Sequence, residues 1–246
     1  MPIMQKLINL VILDSTDSTN EWIKRHHNQN CEYQACLAAQ QTSGKGQPGK
    51  NWYSPKGENI YLSLLINNTI PAPQLSLLSA LAVASSCLEI DKKLPIKIKW
   101  PNDIMCDGKK IAGVLLEQFN KNSLIIGIGL NLHLSKQDKQ QISQPVTALN
   151  ELTSKKLNRT EIANLLLKNL IHTIKTYQKI GFAPFLSQWK QLDFLNNKEI
   201  AIFHANKTYN GTYLGINENG QVQLKTSSTI MTLSSGTIVD THLFTL

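Results

Sequence analysis

The stretch GKGQPGKNW, Gly44 to Trp52, places three glycines and two lysines within nine residues. Glycine lets backbone N–H groups approach a ligand closely, and lysine brings positive charge, so the chemistry on offer is anion binding. Gly44, Gly46 and Gly49 have the G-x-G-x-x-G spacing of a dinucleotide loop. Gly44, Gly49 and Lys50 match a Walker A loop that lacks its final hydroxyl, because Asn51 stands there. Both motifs require a helix directly afterwards, whose N-terminus receives the phosphates. Here the chain continues NWYSPKGENIYLSLL, with Pro55, Gly57 and then a β pattern. Both standard readings are therefore rejected. Taken alone, the loop reads as a solvated surface segment of a lysine-rich chain.

Three further stretches could do chemistry alongside it. DSTN (Asp17 to Asn20) opens a helix, with Ser18 and Glu21 at capping-box spacing. KWPNDIMCDGKKIAGVLLE (Lys99 to Glu117) sets Asn102 and Asp103 at a strand end and Lys110 just after an Asp107-Gly108 hairpin turn. GIGLNL (Gly127 to Leu132) ends a strand with Asn131. The six histidines lack metal-ligand spacing. The four cysteines show no C-x-x-C pattern, which argues against zinc and a disulfide framework and fits a reducing, cytoplasmic setting. The net charge of +8 is carried almost wholly by dispersed lysines, with only Arg25 and Arg159 as arginines. A nucleic-acid-binding protein is one reading of that charge, but no aromatic-basic stacking pattern accompanies it. No apolar run reaches the roughly 20 residues of a membrane span, and no signal peptide is expected.

The elements that must position these residues fall into two textures. Up to about residue 195 the pattern is α+β. Strands are expected at LVILD, ACLAAQ, NIYLSLLI, IKIKW, DIMC, KIAGVLLEQF and LIIGIGLNL. PQLSLLSALAVASSCLEI reads as a core helix, and two more follow around RTEIANLLLKNLIHTIKTYQK and FAPFLSQWKQLDFL. From Lys198 onward come short β segments, with Asn210-Gly211 and Asn219-Gly220 read as turns between them. The expected organisation is a domain over 1–195 and a small antiparallel β-barrel over 196–246. That is about 50 residues, a size at which marginal domains fold.

The four ordered blocks together resemble those of the biotin protein ligase family: D-S-T-N, G-R-G-R-x-G-R-x-W, K-W-P-N-D…K-x-A-G-[IV]-L-x-E and G-x-G-[IL]-N. The resemblance implies a mixed sheet flanked by helices, as in biotin and lipoyl ligases, followed by an SH3-like barrel. It implies two steps. The biotin carboxylate attacks the α-phosphorus of Mg-ATP to give biotinyl-5′-AMP and pyrophosphate. A lysine of a biotin carboxyl carrier protein, such as an acetyl-CoA carboxylase subunit, then attacks the mixed anhydride and releases AMP. No enzyme nucleophile is needed; the enzyme positions groups and neutralises charge.

By the same resemblance, Lys110 reaches the biotin carboxylate and α-phosphate, and Lys45 takes a family arginine's place beside them. Ser18, Thr19, Asn20, Gln41, Gly46 and Gln47 are implied on the biotin side, with Gln41 at the ureido ring. Gly44, Lys50, Trp52, Asn102, Asp103, Gly113 and Asn131 are implied on the ATP or adenylate side. Trp52 reads as wall rather than chemistry. Asp103 has two implied roles, contacting the ATP-bound magnesium or organising the glycine loop, beside an ordinary turn role. Gln47 departs from the family's arginine and carries no charge, so the loop is expected to hold the adenylate less firmly. About 13 residues precede STDSTN, too few for the N-terminal helix-turn-helix of biotin-responsive repressors, so no specific DNA binding is expected. Family members occur as monomers and dimers, which leaves a homodimer open. A lipoate or octanoate ligase on the same fold is the nearer alternative.

Overall fold

The computed structural model describes residues 8–69 and 72–239. In chain order the first part comprises β1 (Ile8–Leu13), α1 (Thr19–Arg25), β2 (Tyr33–Ala38), β3 (Ile60–Ile66), α2 (Gln74–Ile90), β4 (Ile96–Lys99), β5 (Asp103–Cys106), β6 (Lys109–Asn120) and β7 (Ser123–Leu130). Then come α3 (Lys136–Gln140), α4 (Leu149–Leu152), α5 (Arg159–Ile180), a 3-10 turn (Ala183–Phe185) and α6 (Leu186–Leu192). The chain closes with β8 (Glu199–His204), β9 (Lys207–Ile216), β10 (Val222–Lys225), β11 (Ile230–Leu233) and β12 (Thr237–Val239).

Strands β1 to β7 form one mixed sheet in the order β1-β2-β3-β7-β6-β5-β4, parallel only between β1 and β2. Every residue of β2 and β3 is buried, which is why these strands read as continuous apolar runs instead of alternating ones. One face packs on α2 and α5: Leu62 and Leu64, Ile126 and Ile128, and Val114 join Leu78, Leu81, Leu166 and Leu170 in the main core. The opposite face carries a smaller cluster, in which Ile23 of α1 meets Cys36, Leu65 and Ile125. The mixed sheet with flanking helices is the architecture expected. Among the described residues no helix is long and apolar enough to cross a membrane.

Strands β8 to β12 form a second, wholly antiparallel sheet, β11-β10-β9-β8-β12, of the SH3-like kind expected. Its core residues Ile200, Ile202, Tyr213 and Leu224 belong to the same buried cluster as the first sheet's helices. Asp193, just before this unit, accepts hydrogen bonds from Trp189 Nε1 (3.1 Å) and the Leu195 amide (3.0 Å).

Two local expectations are corrected. Ser18 is the N-cap of α1, but its side chain makes no capping bond. Glu21 is drawn to Lys24 and Lys45 instead, and the capping oxygen comes from Gln41 Oε1, which accepts from the Thr19 amide at 2.9 Å. Asn210-Gly211 is no turn: both lie inside β9, and Ala205-Asn206, with φ of 48° and 62°, makes the β8–β9 turn. A side chain at 211 would meet the Lys225 carbonyl oxygen at 2.3 Å, so this glycine answers to a neighbouring strand. The Asp107-Gly108 hairpin is as expected, with φ of 49° and 70°.

Candidate active site

The floor of the site is two rungs of the sheet. In the first, Tyr61 of β3, Gly129 of β7, Gly113 of β6 and Asp103 of β5 lie side by side; in the second, Ser63, Gly127 and Leu115 do. Glycines at the centre of both rungs leave room directly above the backbone. That room is partly filled by two side chains. A Cβ at Gly129 would sit 2.2 Å from Trp52 Cε2, and one at Gly127 would sit 2.7 Å from Asn20 Oδ1.

Lys110 reaches this floor because of a break in register. Asp103 pairs with Gly113 and Ile104 with Ala112, but Met105 pairs with Lys110, leaving Ile111 as the extra residue. Since side chains alternate along a strand, such a bulge moves the lysine to the face that Asp103 and Gly113 share. There its Nζ lies 2.6 Å from Asp103 Oδ1 and 5.2 Å from the centre of the Trp52 ring. A side chain at Gly113 would meet Trp52 at 3.0 Å and Lys110 Cε at 3.2 Å. Trp52 Nε1 is a buried donor with no protein acceptor, which suits a site whose ligand supplies one.

The glycine loop is itself a small hairpin. Lys50 N donates to Gln47 O (2.8 Å), Gly46 N to Lys50 O (2.9 Å) and Trp52 N to Gly44 O (2.9 Å). Gln47-Pro48-Gly49-Lys50 is the turn, with Gly49 at φ 78°. Pro followed by a positive-φ glycine is the chemistry of a type II turn. Gly44 is needed for close packing: a Cβ there would lie 2.4 Å from Trp52 O and 2.6 Å from Ser54 Oγ. At the hairpin's tip Gln47 Nε2 donates to Asn102 Oδ1 (3.3 Å). Asn102 in turn donates from Nδ2 to the Val114 carbonyl, and its own carbonyl accepts from Val114 N at 3.0 Å.

A polar relay lines the α1 side. Gln41 Oε1 accepts from Thr19 Oγ1 (3.0 Å) as well as Thr19 N, while Gln41 Nε2 donates to Ser54 Oγ (2.9 Å). Ser63 Oγ reaches Thr19 Oγ1 (2.7 Å) and Asn20 Oδ1. Asn20 Nδ2 donates to Glu117 Oε2 (2.6 Å), and Glu117 also holds Lys24 (3.0 Å). Lys45 pairs with Glu21 at 2.6 Å. Hydrogen bonds from Lys24 first, then Lys45, keep Glu21 below the usual carboxylate range against the opposing effect of burial. Arg25 does the same for Asp17. Burial pushes the Cys36 thiol up to about 12, so it is no thiolate nucleophile.

These groups enclose two adjoining cavities. One, of about 110 Å³, is lined by Ser18, Thr19, Asn20, Gln41, Lys45, Gly46, Gln47, Lys50, Trp52, Asn102, Asp103, Lys110 and Gly113, all expected from sequence. The other, of about 320 Å³, is lined by Lys50, Trp52, Lys110 and Asn131, with Gln141 to Gln144 and Val146 as its outer wall. Lys50, Trp52 and Lys110 border both. Gly44 lines neither, being packed under the hairpin. Asn131 Nδ2 donates to Thr147 O (3.1 Å), so it braces the outer wall.

Sequence reasoning missed Gln144, which borders both cavities, and the floor residues Gly127, Gly129, Leu115 and Ser63. The period-2 spacing of Gly127 and Gly129 on one strand was the available signal. Nothing local marked Gln144; its loop is placed by Lys110 N donating to Pro145 O and Thr147 N to Lys110 O. Among the described residues no three His, Cys, Asp or Glu side chains cluster as a metal site, and Asp103 is the acidic residue of the cavity wall. A carboxylate there is the kind of oxygen donor that a nucleotide-bound magnesium ion would use.

The biotin/lipoate A/B protein ligase family model matches residues 12–132. The bifunctional ligase/repressor BirA of Salmonella typhimurium is 30% identical over 240 residues, covering 94% of this chain and 73% of that protein. The biotin–[acetyl-CoA-carboxylase] ligase of Paracoccus denitrificans is 28% identical over 201 residues, covering 77% of this chain and 82% of that one. Among solved structures, the biotin protein ligase from Aquifex aeolicus in complex with biotin and ATP superposes with a TM-score of 0.82 at 30% identity, covering 94% of this chain and 97% of that one.

Proposed function

Since this chain belongs to the biotin protein ligase family, we propose that its two adjoining cavities bring biotin and ATP together at Lys110 and Trp52. The enzyme is an ATP-dependent ligase that activates biotin as biotinyl-5′-AMP and transfers it to a protein lysine. In the first step a carboxylate oxygen of biotin bonds to the α-phosphorus while the bond to the bridging oxygen breaks and pyrophosphate leaves. In the second, the lysine amine bonds to the acyl carbon, loses a proton, and AMP departs.

The observation that carries this reading is Lys110 on the glycine floor, bordering both cavities and held by Asp103 at 2.6 Å. A cation fixed there is pre-aimed at charge developing on the α-phosphoryl group and its leaving groups, with no rearrangement needed at the moment of reaction. Lys45 brings the second cation from the hairpin. Gln41, Thr19 and Asn20, the last two held by Ser63 from below, offer donors and acceptors to the ureido ring. Lys50, Trp52 and Asn131, with the 141–146 wall, take the nucleotide. When bound, magnesium supplies charge neutralisation at the phosphates. On this reading residues 1–195 are the catalytic domain, 196–246 an SH3-like unit, and the acceptor is a biotin carboxyl carrier protein in the cytoplasm.

The test is pyrophosphate–ATP exchange by the purified protein with biotin, lipoate, octanoate or no acid. Exchange only with biotin, largely abolished by Lys110→Ala, is expected. Exchange with lipoate or octanoate instead would overturn the substrate, and none with any acid would overturn the activity.

A further inference from the structure

Glu21 stands outside both cavities, yet it holds one of their cations. We propose that Glu21 is a positioning residue that parks Lys45 on α1 and yields it to the substrate's anion, thereby setting the cavity's affinity for that anion. This rests on the reading of Lys45 as a cation beside the biotin carboxylate.

The geometry is that of an exchangeable partner. A single oxygen, Glu21 Oε1, receives both Lys45 Nζ (2.6 Å) and Lys24 Nζ (2.8 Å). Lys24 is anchored a second time by Glu117 at 3.0 Å, and Glu117 is fixed by Asn20 of the same helix. If Lys45 leaves, Glu21 therefore keeps a counter-ion and no carboxylate is stranded. The Lys45 side chain is also the more exposed of the two, 43% against 27%, and it sits on the hairpin instead of the helix. An anion entering the cavity must compete with Glu21 for this ammonium. Partly exposed ion pairs are weak, which makes the exchange feasible and bounds its effect at about fivefold in affinity.

The experiment measures the Kd of biotin by titration calorimetry and the kcat and KM of biotin-dependent exchange for wild type, Glu21→Gln, Glu21→Asp, Lys45→Ala and Glu21→Gln/Lys45→Ala, each checked for folding by thermal melting. Glu21→Gln removes the charge at constant size; biotin should bind about two- to fivefold more tightly with kcat unchanged. Glu21→Asp, which keeps the charge, should return affinity to the wild-type value, and Glu21→Gln should change nothing once Lys45 is alanine. Unchanged or weaker binding in Glu21→Gln, a fall in kcat alone, or an effect that persists without Lys45 would overturn the proposal. Absence of wild-type exchange would instead sink the ligase reading itself, so the two failures are distinguishable.

Discussion

Replacing Gly129 with alanine would drive a methyl group into the indole of Trp52. The added Cβ would lie 2.2 Å from Cε2, 2.5 Å from Nε1 and 2.6 Å from Cζ2. Ordinary contact begins near 3.4 Å, so the ring must retreat by about 1.2 Å. The β7 backbone cannot retreat in its place, because it is bonded on both sides, to β3 and β6. Trp52 borders open cavity and can swing outward, so the stability loss should be near the low end of overpacking costs, about 1 kcal/mol. For a chain of this size that is a fall of about 2–4 °C in Tm. Activity should suffer more. A displacement of about 1 Å in a positioning group can cost about 100-fold, and here the displaced ring borders both cavities and lies 5.2 Å from Lys110 Nζ. Biotin-dependent pyrophosphate exchange should therefore drop about 100-fold in Gly129→Ala. Gly113→Ala, whose Cβ would meet Trp52 at 3.0 Å and Lys110 at 3.2 Å, asks for shifts of a few tenths of an ångström and should lose less than about tenfold. Gly57→Ala, with nothing within 4 Å, should be silent. A folded Gly129→Ala enzyme exchanging at the wild-type rate, or a series not ordered 129, 113, 57, would refute the glycine floor as the reason Trp52 and Lys110 sit where they do.

Other outcomes follow from the same geometry. Gln47→Arg should add charge at the hairpin tip, where Gln47 now makes one neutral contact at 3.3 Å to Asn102; release of biotinyl-5′-AMP and labelling of bystander proteins should fall, and undiminished labelling would show that the neutral residue is no leak. Asp193→Ala strands Trp189 Nε1 and the Leu195 amide, both buried partners, and should cost about 1–3 kcal/mol in urea denaturation; a loss within error would mean these donors find other acceptors. Glu21 titrates below its ordinary 4.5 in the fold, so its contribution to stability is present above about pH 4.5 and is lost as pH falls through the lower folded value. The Tm difference between wild type and Glu21→Gln should accordingly vanish on acidification below that value, and a difference that grew instead would reverse the sign of the coupling.

Much of the molecule is legible without coordinates because the rules involved are local. Period and apolarity mark β2, β3, α2 and β7; Asp107-Gly108 marks its hairpin because both positions need positive φ. Lys110 and the order of the four blocks pick out residues that the fold brings together around one cavity. What lies beyond the sequence depends on partners far along the chain. Capping spacing at Ser18-Glu21 was present, yet Lys45, 24 residues on, claims the carboxylate and Gln41 supplies the cap. Asn210-Gly211 has turn chemistry, yet the approach of the Lys225 carbonyl requires the glycine within a strand. The side chain of Lys110 faces the cavity only because Ile111 bulges against β5, and Gly113 and Gly129 become one floor only when β6 and β7 pair in register. A residue's type and its neighbours decide which backbone conformations are open to it. Hydrogen-bond register and close packing between distant segments decide which one the chain adopts, and hence what each side chain can touch.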